Sequence, residues 1–287
     1  MAVIRVPHLK TMALDHAAYK LNTQALTAYL QKCRDVYAEE EGAADLKPHE
    51  LPKVGFPLYG ELPDLPDGHL QSVELLSACV KKSGEWERPK SHSQFLSHDA
   101  AMCPPVSDAL EALAAPLIKT LEREVFGCYL VPYQLQIVET HVKSFKDRQI
   151  NEQWHFDRTA HPNHKLFIYL SDVTKEDGPF QFVLNRKGDP HVDHHYVRGY
   201  GDHKVKGGRP FSATGRKGTS FFINTDVVHR RSIPTRNNRL AVILAIRPVY
   251  KKLGRFIDKR WLGDHARTWK RFMFKSMETE RGLFGGV

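Results

Sequence analysis

The sequence has few cysteines and no pattern that would join them to each other or to a metal. Cys33, Cys79, Cys103 and Cys128 lie far apart, without a CxxC pair and without the spacing of zinc ligands. This argues against a disulfide framework or a zinc knuckle. The sequence therefore predicts four reduced, buried thiols.

Long apolar runs are also missing. No stretch approaches the roughly 18 apolar residues that a membrane-spanning helix needs, and residues 1–7 lack the apolar core of a signal peptide. We therefore expect a cytoplasmic protein. A chain of 287 residues with 41% hydrophobic and 26% charged residues has enough apolar material for a sizeable core.

Positive charge is concentrated in two segments. The formal net charge is +9, yet residues 185–217 carry eight Lys/Arg against three Asp, and residues 247–287 carry eleven Lys/Arg against four Asp/Glu. The rest of the chain is therefore slightly acidic. A local excess of this kind predicts an anionic partner near these two segments.

Helices are predicted in the first 127 residues. Apolar residues recur every three or four positions over residues 22–40 and 106–126, the period of an amphipathic helix, and a further helix is predicted over residues 71–82. A proline-rich stretch, residues 47–67, is predicted to be irregular. We expect residues 1–127 to form a helical support region.

From residue 128 onward, the pattern changes to short strands without intervening helices. Strands are predicted at residues 129–131, 133–142, 153–156, 165–170, 179–184, 219–224 and 240–246. The segment 185–217 is rich in glycine and predicted to be an irregular insertion, where a lid or substrate loop would sit. This predicts a mainly β (α+β) fold, an antiparallel sandwich or barrel. We expect one catalytic domain over residues 1–287, with its core at 128–248 and a basic helical tail at 249–287.

Two histidines and a carboxylate are candidates for the ligands of a metal ion. His155 and Asp157 are two residues apart on a predicted strand, so both side chains project from the same face. His229 follows a later strand that a sandwich can bring close to that pair. Two histidines and one carboxylate leave open positions on an octahedral ion, as in non-heme Fe(II) oxygenases.

An arginine follows the second histidine by ten residues. Arg239 begins the apolar strand 239–244, where a buried guanidinium would need an anionic partner. The distal carboxylate of an iron-chelating 2-oxo acid such as 2-oxoglutarate would suit this guanidinium. The alternative interpretation is that these histidines occur by chance in a fold that binds no metal.

The segment from residue 153 to about 248 resembles the phytanoyl-CoA dioxygenase family of Fe(II)/2-oxoglutarate-dependent oxygenases. The matching features are His155-Phe156-Asp157, the strand and turn over residues 167–178, His229 and Arg239. The resemblance implies a double-stranded β-helix, also called a jelly roll or cupin-like fold. It also implies that His155, Asp157 and His229 bind Fe(II), that Arg239 binds 2-oxoglutarate, and that O2 is the oxidant.

The chain departs from the family pattern at two places. The family often places a Ser or Thr two residues after the distal histidine to help the arginine, but this chain has Arg231 there and Ser232 one residue later. Residues 184–187 read Leu-Asn-Arg-Lys where the family usually has Pro-Gly-Ser-His. Ser232 and Phe167 are further candidates for contact with 2-oxoglutarate.

The substrate is predicted from charge alone. Basic residues of the insertion are candidates for binding phosphate or carboxylate groups, namely Arg186, Lys187, Arg198, Lys204 and Arg209. The tail combines apolar and basic residues at helical spacing, which suits peripheral contact with an anionic membrane surface. Packing of that helix on the domain or in a dimer interface is the alternative.

The predicted reaction is hydroxylation of a C–H bond in an anionic small molecule or a lipid-linked sugar, for example a Kdo-type acidic sugar of a lipopolysaccharide core. An acyl-CoA hydroxylase is an alternative. A nucleic-acid oxygenase is suggested by the pI of about 9.3, but the sequence has no recognition-helix, RNP or zinc-finger motif. A non-catalytic binding protein on the same fold is the remaining alternative.

Overall fold

The computed structural model describes residues 28, 30–42, 59–62, 68–87, 91–144, 152–155, 164–184, 208–225, 227–260 and 262. Asp157, most of the insertion and the tail beyond residue 262 lie outside these ranges, so the predictions for Arg186, Lys187, Arg198, Lys204 and the tail helix stay predictions. Within the described ranges, no helix is long and apolar enough to cross a membrane.

The helices lie where the apolar periodicity predicts them, with small shifts at their ends. Residues 30–41 form α1, and α2 and α4 span Gly68–Ser83 and Pro104–Thr120. A short helix, α3, spans His98–Ala101, and a π-helical turn, Leu121–Phe126, continues α4. Because prolines fit the first helical turn, α4 begins two residues before the predicted start.

Nine strands are formed by the described residues. They are β1 Tyr59–Glu61, β2 Ser93–Phe95, β3 Tyr129–Thr140, β4 His164–Tyr169, β5 Phe180–Leu184, β6 Arg209–Ala213, β7 Ser220–Asn224, β8 His229–Arg231 and β9 Arg239–Val249. The two segments predicted at 129–131 and 133–142 form one strand, β3, with a register shift at Pro132. Of the predicted strand 153–156, residues 153–155 are described; they form no strand, and His155 makes an isolated bridge.

Two strands occur in segments that were predicted to be irregular. Strand β6 lies inside the insertion, and β1 lies inside the proline-rich stretch. Both are edge strands of their sheets as far as the described residues show, and an edge strand tolerates Pro210 because one side of its backbone has no partner strand there. The prediction of an entirely irregular insertion was therefore wrong for residues 209–213.

The strands form two antiparallel sheets. The larger sheet has the order β1-β7-β4-β9-β3-β2, and the smaller has the order β6-β5-β8. His155 pairs with His229 and so extends the smaller sheet beyond β8. From β3 onward the chain passes repeatedly between the two sheets, which is the strand order of a double-stranded β-helix. The predicted mainly β jelly-roll fold with packed helices is confirmed.

The two faces of the larger sheet have different neighbours. On β4, Leu166 and Ile168 pack in the cluster that includes α2 and α4, whereas Phe167 and Tyr169 pack in the cluster between the sheets. The period of two along a strand explains this division. The same alternation on β9 turns Leu240 towards the helices and Ala241 towards the interior of the sandwich. Arg239, Ala241 and Ile243 of β9 therefore face the space between the sheets.

Aromatic rings fill much of that space. Phe167 stacks on Phe221 with ring centroids 4.9 Å apart and lies 4.8 Å from Phe180 of the smaller sheet. Tyr59 contacts Phe182 at 4.7 Å. The contacts of Phe167 with Phe180 and of Tyr59 with Phe182 join the two sheets, so an aromatic core fills the space between them.

The cysteines are free thiols, as predicted. Cys33 and Cys128 are buried, whereas Cys79 and Cys103 are partly exposed. Burial of all four was therefore predicted correctly only for the first pair.

A buried carboxyl group lies where the helices meet the larger sheet. Glu122 in the π-helical turn accepts a hydrogen bond from the backbone N–H of Leu130 at 2.8 Å. Burial raises the pKa of Glu122 from 4.5 to about 7, and the hydrogen bond from Leu130 opposes this shift. The folded protein therefore binds this proton more tightly than the unfolded chain. Stability conferred by the proton is lost as pH rises from about 4.5 to about 7.

We predict that Glu122→Gln stabilises the protein at pH 8 by about 1–3 kcal/mol, because the amide keeps the acceptor oxygen without the buried charge. The gain should shrink steadily as the pH falls towards 5. Urea unfolding of both proteins at several pH values measures this difference. A gain that does not vary with pH would contradict the assignment.

Candidate metal and anion site

Two histidines face each other between adjacent segments of the smaller sheet. The backbones of His155 and His229 exchange two hydrogen bonds, at 2.9 and 2.7 Å, and their ring centroids are 4.3 Å apart. Both residues are buried, each with 4% of its surface exposed. Directly opposed residues in an antiparallel pair project from the same face. The two imidazoles are therefore side by side.

The tautomer of each histidine is set by the backbone. Nδ1 of His155 lies 2.8 Å from the carbonyl oxygen of Gln153, and Nδ1 of His229 lies 2.8 Å from that of Val227. A carbonyl oxygen only accepts hydrogen bonds, so Nδ1 must carry the proton in both rings. The lone pair is then on Nε2, which is the arrangement of metal-binding histidines whose other nitrogen is held by a carbonyl.

The register of β8 fixes which of its side chains enter the interior. His229 pairs with Phe182, and Arg231 pairs with Phe180. Both phenylalanines belong to the core between the sheets, and the Phe180 ring stacks on His229 at 5.2 Å. His229 and Arg231 therefore face the interior. Arg230 faces the other side, where its guanidinium lies 4.4 Å from the Trp154 ring.

The third predicted metal ligand, Asp157, lies outside the described residues. No group of three or more His, Cys, Asp or Glu suited to a metal occurs within the part of the chain that the structure describes. Two side-by-side imidazoles with Nε2 lone pairs nevertheless fit a divalent transition metal. The third ligand would then come from the residues that follow His155.

Arg239 is the buried cation of the interior. It is 3% exposed, and its Nη1 donates to the carbonyl oxygen of Gly178 while its Nη2 donates to Oγ1 of Thr140 at 3.2 Å. Its Nε has no hydrogen-bond partner, and none of the described carboxylates pairs with it. Burial lowers the pKa of Arg239 to about 10, although the nearby Tyr169 hydroxyl opposes this shift. A buried guanidinium in this state requires an anion from outside the described residues.

The turn before β5 places the carbonyl group that contacts Arg239. Gly178 has a φ of +69°, and a Cβ there would lie 2.7 Å from the Pro234 ring. Asp177 accepts hydrogen bonds from Thr174 and from Asn237, which hold the turn against the chain just before β9. Burial alone would raise the pKa of Asp177, but these hydrogen bonds outweigh it and lower the pKa. The turn at residues 176–179 thus supplies one of the two acceptors that hold Arg239.

Hydroxyl groups connect Arg239 to a second arginine, Arg231, which is partly buried. Oγ1 of Thr140 lies 3.1 Å from Oγ of Ser93, which accepts a hydrogen bond from Nη1 of Arg231. The other end of that guanidinium donates to Oε1 of Glu152 at 3.2 Å. Burial lowers the pKa of Arg231, and the Glu152 carboxylate opposes that shift.

Glu152 has further partners in the same region. Its Oε1 accepts a hydrogen bond from Ser91 at 2.7 Å and lies 3.2 Å from Nδ1 of His92. The carboxylate side chain is fully buried. Glu152 therefore holds Arg231 from the side away from Ser93 and Thr140.

The structure brings some of the predicted cofactor residues to this site and not others. Phe167 faces the interior and is separated from His229 by the Phe180 ring. Ser232 does not reach Arg239, because its hydroxyl donates to the carbonyl oxygen of Pro179 at 2.6 Å. Thr140 holds the guanidinium instead. Arg209 lies exposed at the start of β6, opposite Leu184.

Three of the polar residues that hold these arginines carry no recognisable signal in the sequence. Thr140, Ser93 and Glu152 come from separate segments, and Thr140 is 99 residues from Arg239 in the chain. Only the register between β3 and β9 places it there, directly opposite Arg239. Arg231, by contrast, was marked by its offset of two from His229.

No protein-family model and no curated protein sequence matches the chain. Similar solved structures include the non-heme alpha ketoglutarate dependent epimerase SnoN from nogalamycin biosynthesis, with 17% identity over 77% of this chain and 83% of that chain and a TM-score of 0.44. HygX from Streptomyces hygroscopicus, solved with nickel, 2-oxoglutarate and hygromycin B, has 16% identity over 68% and 84% of the two chains and a TM-score of 0.43. EctD from S. alaskensis, solved with bound Fe, has 16% identity over 71% and 80% and a TM-score of 0.47. These likenesses carry no functional assignment, and the resemblance to the phytanoyl-CoA dioxygenase family stays a prediction.

We predict that His229→Ala lowers the affinity for Ni(II) by at least about a hundredfold, because it removes one of two adjacent nitrogen ligands. Isothermal titration calorimetry measures this, with His69→Ala as a matched control. His69 lies on α2 and contacts the carbonyl oxygen of Gly218, away from the paired histidines. Equal Ni(II) affinity in the two variants would exclude His229 as a ligand.

Proposed function

We propose that this protein is an Fe(II)/2-oxoglutarate-dependent oxygenase that hydroxylates a C–H bond of an anionic substrate. The observation that carries the proposal is the buried guanidinium of Arg239, which has an unsatisfied Nε and no carboxylate partner among the described residues. It shares the interior of the sandwich with the histidine pair. Two adjacent histidines and a buried cation that face the same interior fit a ligand that chelates a metal at one end and is anionic at the other.

The histidines would hold the metal through Nε2, together with Asp157 as the third ligand. Because backbone carbonyls fix both rings by Nδ1, the two nitrogens are oriented before a metal binds. Iron with 2-oxoglutarate and O2 supplies the oxidising chemistry, while the protein supplies positioning. These three protein ligands on one side of a bound iron would leave positions for 2-oxoglutarate and O2.

Arg239 would bind the distal carboxylate of 2-oxoglutarate. Two of its nitrogens are already oriented by Gly178 and Thr140, so little side-chain entropy remains to be lost when the carboxylate arrives. The Tyr169 hydroxyl, which donates to the carbonyl oxygen of Ala213 at 2.6 Å, adds a fixed polar group nearby. Phe180 and Phe167 exclude water from the space beside His229.

An anionic substrate is supported by the location of the positive charge. Arg209 and Arg216 are exposed near the smaller sheet, whereas Lys217 is paired with Glu74 at 2.6 Å. The basic segments 185–217 and 247–287 would attract phosphate or carboxylate groups. A Kdo-type acidic sugar on a lipid is the substrate that we propose first, and an acyl-CoA is the second. The tail would then contact an anionic membrane surface.

The test is conversion of 2-oxoglutarate to succinate with Fe(II) and ascorbate under air, first without substrate and then with acidic glycolipids, acyl-CoAs and nucleotides. Wild-type protein should release succinate, and one class of substrate should accelerate the release. His155→Ala and Asp157→Ala should abolish it. Full turnover in either variant would exclude the iron site. Binding without turnover in the wild type would favour a non-catalytic binding protein.

Arg239→Met should raise the 2-oxoglutarate concentration needed for half-maximal turnover by at least about a hundredfold, because a charge-assisted contact to the distal carboxylate is lost. The unbranched apolar side chain fills much of the volume of the arginine stem. Pyruvate, which lacks the distal carboxylate, serves as the control ligand and should bind both proteins equally. An unchanged requirement for 2-oxoglutarate would show that another residue binds that carboxylate.

A further inference from the structure

We propose that Arg231, held in place by Glu152, is a second binding residue for the distal carboxylate, so that two guanidiniums and not one receive it. This inference rests on the proposed function, since it concerns the same co-substrate. Arg231 lies two residues after His229, a position where the family that the sequence resembles often has Ser or Thr.

The first step is the direction of the Arg231 side chain. Arg231 pairs with Phe180 and lies two residues after His229, so both β8 side chains face the interior of the sandwich. Its side chain is 12% exposed. The neighbouring Arg230 faces outward, where Nε donates to Gln181 and the guanidinium lies over Trp154. Only one of the two consecutive arginines can therefore contact an interior ligand.

The second step is the connection between the two interior arginines. Arg239 donates to the Thr140 hydroxyl, and Arg231 donates to the Ser93 hydroxyl. These two hydroxyl oxygens are 3.1 Å apart. The guanidiniums are thus joined through two adjacent side chains from β2 and β3, and they lie at the same end of the interior.

The two arginines have unsatisfied hydrogen-bond donors and more positive charge than the described carboxylates balance. Nε of Arg231 and Nε of Arg239 are both buried without a hydrogen-bond partner. Among the described residues, Glu152 is the one carboxylate that pairs with either arginine. Within the described ranges, two guanidiniums and one carboxylate leave one positive charge beside two unsatisfied N–H groups. A carboxylate with two acceptor oxygens satisfies both deficits.

Glu152 is a positioning residue in this arrangement. It bonds one end of the Arg231 guanidinium at 3.2 Å, while Ser91 fixes the carboxylate at 2.7 Å. The guanidinium is therefore held at both ends, by Glu152 and by Ser93, before any ligand arrives. Removal of Arg231 alone would leave Glu152 buried without its cation, which would destabilise the fold for reasons unrelated to binding.

The test therefore uses the double variant Arg231→Met/Glu152→Gln, which removes both charges together. Binding of 2-oxoglutarate and of pyruvate to Ni(II)-loaded protein is measured by isothermal titration calorimetry, and thermal unfolding confirms that each variant is folded. We expect the dissociation constant for 2-oxoglutarate to rise at least about tenfold, as for loss of a charge-assisted contact. The dissociation constant for pyruvate should stay within about twofold, because pyruvate has no distal carboxylate.

Arg230→Met is the matched control, since it removes the adjacent arginine of the same strand from the outward face. Its affinity for 2-oxoglutarate should stay within about twofold of wild type. Arg231→Lys should bind 2-oxoglutarate with intermediate affinity, because it keeps the charge and loses the planar fork.

Two outcomes would overturn the role of Arg231 while leaving the proposed function intact. In one, the double variant binds 2-oxoglutarate like wild type while Arg239→Met does not. In the other, the double variant loses affinity for pyruvate and 2-oxoglutarate alike, which would place the effect away from the distal carboxylate. Failure of the wild type to bind either 2-oxo acid would overturn the proposed function itself.

Discussion

The buried charge of Arg239 is the constraint on which the account of this molecule depends. Placing a guanidinium inside an aromatic sandwich costs on the order of several kcal/mol unless an anion accompanies it. The described residues supply carbonyl and hydroxyl acceptors but no carboxylate for it. In our proposal, the distal carboxylate of 2-oxoglutarate supplies the missing negative charge.

The alternation of side chains along the strands explains how the histidine pair and Arg239 come to share one space. On β9, the period of two turns Leu240 to the helices and Arg239 to the interior, while on β8 the same period turns His229 and Arg231 inward and Arg230 outward. A shift of one residue in either strand would exchange these faces. The contact of Phe167 with Phe180 links the two sheets, and the stacking of Phe167 on Phe221 packs β4 against β7 within the larger sheet.

Much of the fold and three residues of the candidate site could be predicted from sequence, because their signals are local. His155 is recognised by Asp157 two residues later. His229 is recognised by Arg239, which follows it by ten residues at the start of an apolar strand. The partners of these residues could not be predicted, because Thr140 reaches Arg239 only through the pairing of β3 with β9. Strand β6 was missed because Pro210 and the surrounding glycines indicate a loop, whereas an edge position accepts the proline. Ser232 lies one residue after the position where the resemblance led us to expect a hydroxyl side chain. At that position its hydroxyl donates to the carbonyl oxygen of Pro179.

A crystal structure of the protein with Mn(II) and 2-oxoglutarate, prepared without oxygen, tests the central claim most directly. The account predicts one metal ion bound by His155, Asp157 and His229, with the far carboxylate of 2-oxoglutarate against Arg239 and Arg231. It would be contradicted by a metal bound away from the histidine pair. It would also be contradicted by a carboxylate of the protein itself, from residues outside the described ranges, paired with Arg239.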